Sequence, residues 1–564
     1  MRPSSSFGSL LPIALWLPTA LAGSEFNWTT LEASTTLHWT PCYSAPLQCT
    51  LLQVPMDYSA PQNGVTASIA IVRYPSTSPK SQYRGPLLFN PGGPGGSGVD
   101  AIVASGADFV TVFGDQFDVI GFDPRGVSYS TPTISFFKTE AERRFLIPSA
   151  ENVIFPSLNA SSTALADTWS HMQLLSQLAA ASNMNGYLQH MTTDNIARDM
   201  LQITEAFGFE KLQYWGISYG SVLGATFASL FPDKVGRLII DGVEDMEGYY
   251  SGNLTNAMLD TDKAMQTFFD GCAKAGTEGC AFHAASASEM PAKLDALSSA
   301  IKTQPFPVIA PQSHGIVDIL FLRNAILDAV YAPYDLFAPL ARGLAVLATG
   351  NATLLYTQNE VPNFECDCTN SSAALPFHEN NFESYMTIAC GDPVPINDTV
   401  GELQTFYEAT TKVSSFADLL ASTRVVCAGW KIHREGRFQG PVGAKNTSFP
   451  LLLVGNTIDP VTAHASAVKT SMAFPGSVVL TQDSVGHTSL VAPSQCTFGH
   501  FKAYFVNGTL PAPGTVCSVE AELFPSGSNN ITVKRAAENS EDWKVREAAN
   551  NIGRVMRKIL RRTL

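Results

Sequence analysis

Residues 211–224 read KLQYWGISYGSVLG. The apolar run 212–217 ends at Ser218, which stands between Gly216 and Gly220 in the pattern G-x-S-x-G, and a third glycine, Gly224, follows. Beyond the serine, the residues to Phe231 are mostly small or apolar, which reads as a buried helix. A strand that turns into a helix at such a serine is the setting of a nucleophile elbow. The turn forces the serine into a strained backbone conformation in which side chains at 216 and 220 would collide. Gly224 lets the helix lie close to the strand.

The same rhythm extends outward. Within residues 86–126, the runs PLLF and FDVIGF each end in a glycine-rich or polar turn, with enough chain between them for a crossover. A helix is expected over 193–207, capped by Thr193 or Asp194, with Ile196, Met200, Ile203 and Phe207 on one face. VGRLIIDGV (235–243) is the next strand. Strands and helices in alternation predict a doubly wound, mostly parallel α/β sheet. The rhythm breaks near 245, and 246–425 reads as an inserted, largely helical cap domain. It resumes with FPLLLVGNTID (449–459), a helix from PVTAHASAVKTSM, and GSVVLTQ (476–482), expected to be the last two strands of the sheet. The expected organisation is a signal peptide (1–22), a core in two parts (23–245 and 426–520), the cap (246–425) and a basic tail (521–564).

A serine hydroxyl needs a base, and the base an orienting acid. Asp459 lies just past the strand LLLVG, and His487 just past SVVLTQ. Both are strand ends, where an open α/β sheet places its site, in the chain order serine, acid, histidine. Ser218, Asp459 and His487 are therefore the expected triad, preferred over Asp483, His464 and His500. The oxyanion needs preorganised N–H donors. One is expected from Tyr219, the other from Gly93 in the loop NPGGPGGSG (90–98). That loop lacks the Gly-Lys-Ser/Thr ending of a phosphate-binding loop. Asp123 and Arg125, in DPRG, are expected to pair and brace it.

With 564 residues, 45% hydrophobic and 15% charged, the chain can bury a large core, and a net charge of −14 argues against a nucleic-acid partner. Arg2, an apolar stretch and Ala20-Leu21-Ala22 read as a cleaved signal peptide; no other segment has ~18 consecutive apolar residues, so no transmembrane segment is expected. Nine sequons, at Asn27, Asn159, Asn253, Asn351, Asn370, Asn397, Asn446, Asn507 and Asn530, agree with a secreted glycoprotein. So does the even number of cysteines, ten. Cys42–Cys49, Cys272–Cys280 and Cys496–Cys517 are plausible short disulfide loops, whereas pairing among Cys366, Cys368, Cys390 and Cys427 stays open. The spacing does not suit zinc, and neither metal nor organic cofactor is implied. In the tail, Val545, Ile552, Met556 and Ile559 share a face of a basic amphipathic helix, to be docked on the body, left in solvent or laid on a membrane surface. Lys534-Arg535 is a dibasic processing candidate.

Taken together, these motifs resemble the proline iminopeptidase/tripeptidyl aminopeptidase group of α/β-hydrolase serine exopeptidases. NPGGPGGSG is similar to its HGGPG-type loop, with Pro91 where many members have histidine. FDPRGVSYSTP resembles its D-x-R-G-x-G-x-S segment, with serine at 128. GISYGS resembles its elbow, and LLLVGNTIDPVTAHASA its TAP-like C-terminal segment, with Ala463 in place of a proline. TIACGDP and CAGW resemble its paired cysteine segments, which implies Cys390–Cys427. The resemblance implies release of residues or short peptides from free N-termini, and hence carboxylates for the substrate ammonium; Glu244, Asp245 and Asp392 are the candidates, with Glu247 beside them. A secreted carboxylesterase or lactone hydrolase on the same triad is the alternative, and a non-catalytic binding protein on this fold a third.

Overall fold

The computed structural model describes residues 26–147, 156–311, 313–359, 380–525 and 541–563. The signal-peptide segment, Cys366, Cys368, Asn370, Asn530 and Lys534-Arg535 lie outside the described residues.

The apolar runs around the elbow are strands of one sheet. In chain order its strands are β1 (Thr40–Pro41), β2 (Gln48–Pro55), β3 (Thr66–Tyr74), β4 (Pro86–Asn90), β5 (Asp118–Phe122), β6 (Leu212–Ile217), β7 (Val235–Asp241), β10 (Leu452–Ile458), β11 (Val478–Val485) and β12 (Val516–Ser518). They lie side by side as β1-β2-β3-β5-β4-β6-β7-β10-β11-β12. From β5 to β12 every pairing is parallel, while β1, β2 and β3 join antiparallel. Every residue of β4 and β5 is buried, as expected of a parallel strand covered on both faces. The sheet does not end at β11, as the sequence had suggested: three residues of β12 add another parallel strand. The antiparallel strands β1–β3 were likewise not anticipated.

Alternation along β6 divides two cores. Tyr214 packs on the side of the helices Thr193–Ala206 and Tyr219–Leu230 and the cap. Trp215 and Ile217 face the helices Gly98–Phe113 and Gln495–Asn507. There Trp215 meets Phe89, Phe113 and Phe501 at ring-centroid distances of 5.2, 5.5 and 5.5 Å. The helix at 193 is not capped by Thr193 or Asp194. Its N-cap is Thr192, in extended conformation, and Asp194 is drawn into an ion pair with Arg434.

Between β7 and β10 lie the cap helices, among them Thr261–Gly279, Ile319–Tyr331, Pro333–Leu347, Asn381–Gly391 and Ser422–Cys427. They are joined by a hairpin of two four-residue strands, β8 (Phe306–Ile309) and β9 (His314–Val317), too short and too interrupted by Pro307 to show as a sequence pattern. Disulfides join Cys42–Cys49, Cys272–Cys280, Cys390–Cys427 and Cys496–Cys517. All seven described sequon asparagines are exposed: Asn27, Asn159, Asn253, Asn351, Asn397, Asn446 and Asn507. No helix among the described residues is long and apolar enough to cross a membrane.

The tail forms a helix, Glu541–Thr563. Its apolar face, which would have to enter a lipid surface, is buried instead: Ala549, Ile552, Met556 and Ile559 pack into the core beside the helix Gly98–Phe113. Membrane contact through that face is thereby corrected to docking on the body.

Candidate active site

β6 delivers Ser218 to the C-terminal edge of the sheet at φ 57°, ψ −126°, a conformation that side-chain-bearing residues rarely adopt. A Cβ at Gly216 would lie 2.4 Å from the Gly220 carbonyl oxygen and 2.2 Å from the Tyr214 hydroxyl, so the turn closes only on glycine. The Ser218 N–H donates to the Asp241 carbonyl at 2.9 Å, and the Tyr214 hydroxyl to that of Gly220 at 2.9 Å.

β10 and β11, two and three places along from β6, carry Asp459 and His487. His487 Nδ1 lies 3.1 Å from both Asp459 carboxylate oxygens. The same carboxylate accepts N–H bonds from Val461, Thr462 and Thr488 at 3.0–3.1 Å. Burial works against its charge, but the His487 ring and these amides hold it below the usual carboxylate range. Among the described residues no hydrogen bond joins the Ser218 hydroxyl to His487, whose side-chain partners are Asp459 and Thr462. Such bonds are often long before substrate binds. Of the alternatives, His464 bonds Thr481, and Asp483 is exposed and bonded to Thr457. His500 lies beside Cys496 and Cys517, whose sulfurs are joined in a disulfide.

The histidine turn is held by residues that sequence reasoning missed. Asn456 donates to the carbonyls of Gly486 and Thr488, both at 2.7 Å. Asp241 accepts from the N–H and hydroxyl of Ser489 at 2.9 and 2.5 Å. Burial raises the Asp241 carboxyl to about 6, against those hydrogen bonds. It closes β7 as Asp459 follows β10, so a strand-end rule applied to every strand would have found it. Thr488, next to His487, has φ 65°, a second strained non-glycine position in the site.

The loop 90–98 lies against the elbow. A Cβ at Gly92 would fall 2.5 Å from the Ile217 carbonyl oxygen and 2.9 Å from Ser218 Cβ. Gly93, Ser218 and Tyr219 line one cavity. Among the described residues the Gly93 N–H makes no backbone hydrogen bond, and the Tyr219 N–H belongs to the first turn of its helix, where amides lack intrahelical partners. Asp123 braces the loop by accepting from the Ser97 hydroxyl at 2.7 Å and the Val99 N–H at 3.1 Å. The expected Asp123–Arg125 pair does not form. Arg125 instead binds Asp199 through two nitrogens, at 2.7 and 2.6 Å, and also donates to the Met56 and Pro55 carbonyls.

The cavity is roofed by cap residues, including Tyr249, Tyr331, Tyr385, Ile396 and Phe406. Its charged lining residues are Glu244 and Arg424. Arg424 is bound to Asp398 at 2.7 Å and to the Gly252 carbonyl. The Glu244 carboxylate accepts no hydrogen bond among the described residues; only its backbone N–H is engaged, with the Ser221 hydroxyl. Burial, with the like charges of Asp245 and Asp459, pushes its carboxyl up to about 8. The other two ammonium candidates are elsewhere. Asp245 is turned to Lys469 and Asn256, at 3.0 and 2.8 Å, outside the cavity lining. Asp392 accepts from the Thr193 N–H and hydroxyl and from the Tyr249 hydroxyl at 2.6–2.9 Å, leaving it no face toward a ligand. Burial raises it to about 6 against those bonds. It anchors the cavity wall instead, since Thr193 also meets the Tyr219 hydroxyl at 2.6 Å.

Comparison with known proteins agrees with the fold. Residues 85–278 match the alpha/beta hydrolase fold family and residues 412–517 the TAP-like protein family. The chain is 29% identical to a tripeptidyl aminopeptidase of Streptomyces lividans over 85% of each chain. It is 27% identical to the serine protease Hip1 of Mycobacterium tuberculosis, over 85% of this chain and 91% of that protein. It is 26% identical to a carboxylesterase B of the same species, over 84% of this chain and 86% of that one.

Proposed function

Taking the chain as a serine hydrolase of the α/β-hydrolase fold with a TAP-like C-terminal segment, we propose that it is a secreted, glycosylated aminopeptidase that removes residues or short peptides from free N-termini. One observation carries the peptidase reading: the two charged residues lining the cavity that holds Ser218 are Arg424, which is paired, and Glu244, whose carboxylate accepts no hydrogen bond among the described residues. A cation brought there favours ionisation of a carboxyl that has no hydrogen-bond donor among the described residues. The ammonium of a peptide N-terminus is such a cation.

In the proposed mechanism His487 takes the Ser218 proton as the oxygen attacks the scissile carbonyl carbon. The N–H groups of Gly93 and Tyr219 receive the oxyanion. Asp459 holds the ring and stabilises the imidazolium, which passes its proton to the leaving amine as the C–N bond breaks. Water, deprotonated by His487, then attacks the acyl-enzyme; the N-terminal fragment leaves and Ser218 regains its proton.

The apolar lining favours a second reading, hydrolysis of carboxylic esters by the same groups. The two are separated by assaying wild type and Ser218→Ala on free and N-blocked aminoacyl and tripeptidyl amides beside short acyl esters. The peptidase reading expects cleavage of the free amides, resistance of the blocked ones and loss of activity in the variant. Cleavage of esters alone would transfer the assignment to the esterase.

A further inference from the structure

The tail helix Glu541–Thr563 lies on the loops that carry the candidate catalytic groups. Its buried residues Ala549, Ile552, Met556 and Ile559 recur at three- and four-residue steps, one continuous seam against the helix Gly98–Phe113. That partner helix grows directly out of the loop 90–98. At one end of the seam, Ile559 sits against the loop itself: a Cβ placed on Gly96 would be 3.3 Å from its Cγ2. The Gly96 N–H in turn donates to the Gly92 carbonyl at 3.1 Å, in the turn that presents Gly93. Further along, a Cβ placed on Gly553 would be 2.6 Å from the Leu490 carbonyl oxygen, so the helix backbone rests on the segment three residues past His487. The helix also touches the cap helix Asn381–Gly391, which supplies Tyr385 and Ala389 to the cavity. Polar ties hold it in place: Asn551 donates to Asp108 at 3.3 Å, and Arg557 pairs with Asp335 on the cap.

We infer that this helix is a positioning strap for catalysis, with Ile559 fixing the oxyanion loop through Gly96 and Gly553 admitting the helix onto the turn that carries His487. The inference rests on the assignment of Gly93, Ser218 and His487 proposed above. Neither Ile559 nor Gly553 touches substrate; both act by limiting where those groups can move. A side chain at 553 must push on Leu490, and a shortened one at 559 leaves the glycine loop unsupported. Both displacements fall on transition-state contacts, so the loss should appear in kcat while KM changes little.

The experiment compares full-length wild type, Gly553→Ala, Ile559→Ala, Ile559→Val and Ser218→Ala. Each is assayed for kcat and KM on the best amide or ester substrate and for its rate of labelling by a fluorophosphonate, with a thermal melt to identify a folded temperature. Gly553→Ala keeps the whole apolar seam, so loss of apolar contact is not a route to its effect. Expected are an about tenfold fall in kcat and in labelling rate for Gly553→Ala and Ile559→Ala, KM within about twofold, and near-complete recovery in Ile559→Val. Folded Gly553→Ala and Ile559→Ala proteins with wild-type kcat and labelling rate would overturn the strap while leaving the site intact. Labelling that persists in Ser218→Ala would overturn the site assignment and the strap with it.

Discussion

Two carboxylates, at the ends of neighbouring strands, face the same end of the sheet and titrate in opposite directions. Asp459, in the turn after β10, is held below the ordinary carboxylate range by the His487 ring and three backbone amides. Glu244, half-buried in the turn after β7, is pushed up to about 8 by desolvation and by the like charges of Asp245 and Asp459, with no donor among the described residues. One carboxylate is fully satisfied, while the other carboxyl has no hydrogen-bond donor among the described residues. Pairs of acids whose surroundings drive them apart are how one fold assigns different tasks to the same functional group. On this account Asp459 serves the histidine at all working pH values, and Glu244 reads the substrate.

Removal of the candidate nucleophile, Ser218, is the harshest test of both acids' roles. Ser218→Ala should lower kcat/KM by at least about 10³-fold on every substrate, measured by steady-state assay. Asp459→Asn should come next. It keeps the shape of the turn but loses the anion that orients His487, and kcat should fall about 10³–10⁴-fold on amides and esters alike. Glu244→Gln should divide the substrates instead: kcat/KM for amides with a free N-terminus falls about 10²-fold while esters change less than about twofold. Equal losses on both would assign Glu244 to the chemistry rather than to recognition.

The smallest effect is on stability. Glu244 keeps its proton in the folded protein up to about pH 8, whereas an unfolded chain releases it near the ordinary glutamate value. Between those values the native state binds more protons, so stability falls as pH rises through that window. Melting temperatures measured from pH 5 to 8 should therefore decline less steeply in Glu244→Gln than in wild type.

How legible the site was followed the distances over which its parts interact. Ser218, Asp459 and His487 each stand where a short apolar run stops, a local pattern, and β4–β7, β10 and β11 were readable for the same reason. The antiparallel strands and three-residue β12 were not, since neither sits in a βα repeat. Arg125 was matched to its neighbour Asp123, although its true partner, Asp199, lies 74 residues away. Asp392 and Glu244 were equal candidates in sequence. Only folding shows that Thr193 and Tyr249 use up Asp392, while Glu244 lines the cavity. The tail's apolar stripe was plain, but the surface it covers is assembled from helices hundreds of residues earlier.

Whether Glu244 recognises a free N-terminus is read from the ratio of kcat/KM for an aminoacyl or tripeptidyl amide over its N-acetylated counterpart, in wild type and in Glu244→Gln. A large ratio is expected in wild type, collapsing to near unity in the variant through loss on the free substrate alone. An unchanged ratio in Glu244→Gln would contradict it.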